Sequence, residues 1–119
     1  MKAHAPRLVI VLGLLAACGG PVTIDEHPCP SATERTTTYE NFGKAFIDDH
    51  CQSCHASRAF DRNGAPGEYA FDTRADIQRH RARIFARSAS TNTSMPPGPN
   101  DPAQSDRDRL ADWLSCGAL

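Results

Sequence analysis

Beyond its first twenty residues the chain has no run of Val, Ile and Thr with strand character. It therefore lacks the βαβ unit in which a thioredoxin-like dithiol sits. A second Cys-x-x-Cys and any His-x-x-x-His cluster are also missing, which leaves a tetrahedral zinc site two ligands short. The unbroken small and apolar run from Leu8 to Ala17 is too short to cross a bilayer as a helix. Excess positive charge is absent as well: 13 Lys and Arg stand against 14 Asp and Glu, a formal net charge of −1, and no global basic field points to nucleic acid. Methionine occurs twice, as the initiator and as Met95. At 119 residues the chain has room for one domain at most.

Against these absences stands Cys51-Gln52-Ser53-Cys54-His55. Five Cys and five His in the whole chain would give roughly 0.01 chance matches to Cys-x-x-Cys-His, so composition does not account for it. Two thiols two residues apart can each form a thioether to one vinyl group of a haem, and the following histidine offers its imidazole nitrogen to the iron. Cys51 and Cys54 are thus expected to attach one haem c, with His55 as an iron ligand. The rival uses of such a pair, a redox dithiol or half a zinc site, need the features missing above.

The N-terminus reads as processing signals. Lys2 and Arg7 flank the apolar run, the pattern of an export signal over residues 1–17. The run ends Leu15-Ala16-Ala17-Cys18, which resembles the lipobox of bacterial lipoproteins, where cleavage precedes the cysteine and the new terminal cysteine is acylated. The resemblance implies lipidation at Cys18 and a protein held on a membrane by acyl chains, in the bacterial cell envelope with its domain in the periplasm. The alternatives are an ordinary secretory signal with Cys18 merely nearby, or an uncleaved anchor. Cleavage would leave 102 residues with eleven basic and fourteen acidic side chains, a charge of −3. So short a chain buries a small core, and a porphyrin would add apolar surface to it. Two cysteines then have no assignment, Cys29 and Cys116, 87 positions apart. In an exported protein a disulfide between them is expected, the alternative being two free thiols.

Residues 18–38, with three prolines and a threonine run, read as a flexible tether, and His27 within it as solvent-exposed. The domain is expected over 39–119. Tyr39, Phe42, Gly43, Phe46, Ile47 and His50 recur at helical steps and run into Cys51. His50 is a boundary residue, too close to His55 to take the opposite side of one macrocycle. Residues 56–70, with Asn63-Gly64 and Pro66-Gly67 turns, are expected to wrap the His55 side. A second helix should start at Asp72 or Thr73, with Asp76 in a capping box, and reach about Ser88. Its arginines, Arg74, Arg79, Arg81, Arg83 and Arg87, read mostly as a solvated face, with room for one to meet a haem propionate; a docking patch for an acidic partner is the other reading. The last helix should be capped at Ser105, bury Leu110, Trp113 and Leu114, and end at Cys116-Gly117.

The second axial position has two candidates. Met95, in Ser94-Met95-Pro96-Pro97, offers a soft thioether on a loop stiffened by proline. His80 is the histidine rival.

From Tyr39 to Leu119 this order of parts resembles class I cytochrome c domains: a helix entering Cys51-Gln52-Ser53-Cys54-His55, a middle helix, a Met95-Pro96-Pro97 loop and a last helix bearing Trp113. Gly43 matches the small residue at which that family's terminal helices cross, and Trp113 the aromatic opposite. The resemblance implies an all-α fold of three main helices around the haem, with Cys51 and Cys54 attaching it and His55 and Met95 as axial ligands. It also implies a monohaem carrier of single electrons between redox partner proteins, not an enzyme, with no small-molecule substrate. The arginine-rich middle helix, the short His55–Met95 segment and the Cys29, Cys116 pair depart from the family pattern. Other classes stay open: a haem-based gas-binding or sensor module lacking the Met95 bond, or a zinc- or thiol-stabilised envelope protein.

Overall fold

The computed structural model describes residues 22–119. Among them it contains four α-helices and no strand. Export signal and Cys18 lie outside the described residues.

The first helical stretch starts at a reciprocal cap: the Thr38 hydroxyl accepts from Asn41 N–H, and Asn41 Oδ1 accepts from Thr38 N–H. Its first turn, Tyr39–Gly43, is π-helical, with Gly43 N–H donating to the Thr38 carbonyl at 3.0 Å. Helix α1 (Lys44–His50) continues it and buries Phe46 and Ile47. At Cys51 the backbone leaves helical geometry (φ −121°, ψ −38°), and the single-turn helix α2 (Gln52–His55) follows. The expected first helix is therefore interrupted at the first cysteine, where the Cys51–His55 motif begins.

Helix α3 (Arg74–Ser88) begins at the expected Thr73/Asp76 capping box and ends at the expected Ser88. Its inner face is Ile77, Ile84, Phe85 and Ser88. Helix α4 (Gln104–Ser115) packs on α3 and buries Leu110, Ala111, Trp113 and Leu114. Ser105 is not its cap: the helix starts one residue earlier, after Ala103, whose side chain makes no capping bond. Gln104 instead spans to the Ser90 carbonyl at 3.0 Å, tying the helix start to the preceding loop. At the other end Gly117 takes φ +91°, while Gly117 and Ala118 N–H groups donate back to Leu114 and Trp113 carbonyls. That left-handed turn is what a glycine after the helix supplies.

Gly43 faces the indole of Trp113 so closely that a Cβ there would fall inside the ring's van der Waals surface. Phe42 meets the same indole edge-on at 6.5 Å. Around this crossing the core gathers Phe46, Ile47, Phe71, Ile77, Phe85 and Leu110.

The N-terminal segment departs from the tether reading. Val22 pairs with Asn92 through two hydrogen bonds, Val22 N–H to Oδ1 and Asn92 Nδ2 to the Val22 carbonyl. Ile24–Glu26 form a 3-10 turn, and Val22 and Ile24 pack against the core. His27 is not solvent-exposed: its ring lies 5.6 Å from that of Phe85, and its Nε2 meets Asp112 Oδ1 at 2.8 Å. The cause is the expected bridge, since Cys29 and Cys116 are disulfide-bonded with Cα atoms 4.8 Å apart, which holds residues 22–29 against α3 and α4. Residues 30–38 are mostly exposed.

Candidate functional site

Helix α2 carries Cys54 and His55, with Cys51 as its N-cap, and all three line one cavity of about 390 Å³, a size common for cofactor sites. Neither thiol is in a disulfide. Burial pushes the Cys51 thiol up to about 12.

His55 is held in one orientation. Its Nδ1 lies 2.7 Å from the Tyr69 carbonyl; a carbonyl only accepts, so Nδ1 carries the proton and Nε2 keeps its lone pair. The ring stacks on Phe71 at 4.6 Å with 11° between planes, and Phe71 N–H donates to the His55 carbonyl at 2.8 Å. Gln52 adds a bond to the Phe71 carbonyl at 2.6 Å. The loop over residues 56–70 is gathered by Arg62, whose guanidinium donates to the carbonyls of Ala56 (2.6 Å), Ala65 (3.2 Å) and Pro66 (2.9 Å). This loop borders the cavity next to His55, as expected of it.

Met95 and the two prolines after it line the same cavity. Both polar groups of the Met95 backbone are engaged: its N–H donates to the Arg87 carbonyl at 2.9 Å, and its carbonyl accepts from Arg107 Nη1 at 2.9 Å. Met95 is 36 % exposed. His80 lies elsewhere, packed against Tyr69 and Phe71 and not lining the cavity. His50 sits on the rim, against Phe46, with Nδ1 3.3 Å from the Asn100 carbonyl. The five arginines of α3 divide. Arg74 and Arg79 pair with Glu40 and Asp76, and Arg81 donates to the Leu114 carbonyl. Arg83 and Arg87 border the cavity, and among the described residues neither pairs with a carboxylate.

The residues of this architecture that escaped the sequence reading include Tyr69 and Phe71, which hold the His55 ring, and Arg62, Asn92 and Arg107. Arg107 left a legible trace, because it occupies the Arg107, Leu110, Ala111, Leu114 stripe that faces the core. Asn92 and Arg62 sit in irregular segments whose partners are backbone carbonyls, and carbonyls carry no sequence signature.

Among the described residues, no group of three or more His, Cys, Asp or Glu side chains is placed to hold a bare metal ion. The donors that line the cavity are two thiols, an imidazole nitrogen and a thioether, a set of the kind that the vinyl groups and iron of a porphyrin take. No protein-family model, curated protein or solved structure matches the chain.

Proposed function

We propose that the chain is a monohaem c-type cytochrome of the bacterial cell envelope that carries single electrons between redox proteins, anchored to a membrane by acylation at Cys18. One observation carries the reading: Cys51, Cys54, His55 and Met95, chosen from the sequence for chemical reasons, border a single cavity although 40 residues separate His55 from Met95. Cys51 and Cys54 would hold the haem covalently, and His55 Nε2 and Met95 Sδ would be the ligands offered to its iron. The haem supplies a one-electron couple, and thioether ligation raises its potential relative to two histidines. The protein's part is orientation and exclusion. The Tyr69 carbonyl polarises His55 through Nδ1–H and fixes the ring plane, Phe71 shields that ring, and Arg83 and Arg87 offer positive charge to propionates at the rim. The fold on this reading is a small cytochrome c-like domain, in which the Gly43–Trp113 approach is the crossing of its terminal helices.

The test is expression in a host that exports and matures c-type cytochromes. Haem staining that survives denaturing electrophoresis, a far-red charge-transfer band in the ferric state and no carbon monoxide binding by the ferrous protein are expected. A chain without haem stain overturns the assignment. The 36 % exposure of Met95 favours one second reading, a gas-binding module whose methionine stays off the iron; ready carbon monoxide binding would select it.

A further inference from the structure

Arg107 is 3 % exposed, on the inner face of α4, where an aliphatic side chain would otherwise stand. Its Nη1 donates to three carbonyls, Ser88 at 2.8 Å, Asn92 at 3.1 Å and Met95 at 2.9 Å. Those acceptors are the last residue of α3 and two points on the loop that follows. The nearest carboxylate is Asp101, at 3.8 Å from Nη2 and 64 % exposed, so the guanidinium is satisfied mainly by backbone oxygens. A buried arginine that faces carbonyls is costly to keep, and here the two N–H groups of a single terminal nitrogen are shared among three of them. Between its two bonds, to Arg87 and Arg107, the Met95 backbone has no free polar group. Its side chain alone is left to move toward the cavity.

We infer that Arg107 is the positioning residue for the sixth iron position: it clamps the 92–95 loop to α3 and α4 and so sets where the Met95 sulfur is held. The inference rests on the haem reading above. The clamp fixes the loop before any ligand bond forms, so the sulfur loses little freedom on binding and returns quickly after release.

The experiment compares wild type, R107Q, R107K and L110A as exported holoproteins, the last a core truncation on the same helix that leaves the clamp intact. R107Q is expected to keep its haem stain, lose most of the far-red band, bind carbon monoxide at least tenfold more tightly when reduced, and exchange the Met95 amide at least tenfold faster. R107K keeps the charge and carries its donors on a single nitrogen at the end of a shorter stem, so smaller changes in the same direction are expected, and it decides the matter should R107Q not accumulate. L110A should be destabilised with band and carbon monoxide affinity unchanged. Arginine variants that leave all three signals at the wild-type level, or an L110A that shifts them equally, would overturn the clamp while a haem-stained wild type preserves the electron-carrier reading. A wild type without haem removes that reading and, with it, the clamp's role toward iron.

Discussion

On the His55 side of the cavity Arg62 draws together carbonyls of Ala56, Ala65 and Pro66; on the Met95 side Arg107 draws together those of Ser88, Asn92 and Met95. The two walls thus use the same device, one guanidinium replacing regular secondary structure as the partner of loop carbonyls. They differ in reach. Arg62 binds only within its own loop and is half-buried, whereas Arg107 ties a loop to two helices and is 3 % exposed. A local organiser shapes its segment. A buried one makes the segment part of the core. The Met95 wall is further backed by residues 22–29, through the Val22–Asn92 pair and the 29–116 bridge, and the His55 wall has no such outer layer among the described residues.

Removing the bridge with C29S/C116S should have the largest effect on stability. The closed loop spans 87 residues, and chain entropy assigns such a loop about 4 to 5 kcal/mol. Denaturant unfolding would measure it, and hydrogen exchange should speed around Asn92 and Met95 before the His55 loop responds. Next comes R107M, which strands three carbonyls and is expected to cost about 3 to 5 kcal/mol. R62M should cost only about 1 to 2 kcal/mol, since water reaches its carbonyls, and should raise proteolysis within 56–70 alone. An R62M loss as large as that of R107M would dissolve the contrast between the walls. A comparable 1 to 3 kcal/mol is expected for G43A, from overpacking against Trp113, without a change in either loop. The smallest effect belongs to pH. The Thr73 hydroxyl holds the Asp76 carboxyl below its ordinary value, so this cap stabilises α3 above about pH 4, the unfolded Asp range, and is lost as pH falls through the lower folded value. T73A should therefore weaken the fold at neutral pH, and the difference in Tm should shrink in acid.

Helices were legible wherever side chains carried the information. The three- and four-residue steps of Tyr39 to His50, the Thr73/Asp76 box and the Cys116-Gly117 stop all specify their elements locally, and the motif at 51–55 marked three residues that line the cavity. The sequence could also bring Cys29 to Cys116 by elimination among five cysteines. What it concealed depends on partners distant in the chain. His27 looked solvated because nothing near it marks Asp112 or Phe85 as neighbours, and residues 22–26 looked like linker because two bonds to Asn92, 70 positions away, hold Val22. Ser105 looked like a cap because the bond that ties the start of α4, from Gln104 to the Ser90 carbonyl, lies 14 positions away in an irregular segment.

The docking of Val22 also bears on how far the protein can travel. With Cys18 as the proposed acyl site, only residues 19–21 separate the lipid from a residue fixed to the domain. Fully extended, four peptide steps reach roughly 14 Å. On that proposal a leash so short would keep the domain in a thin layer at the bilayer surface, with the Asn92 end turned toward the lipid. Exchange with a partner would then be governed by sideways diffusion in the membrane plane and by the partner's height above it, more than by free swinging on a long chain.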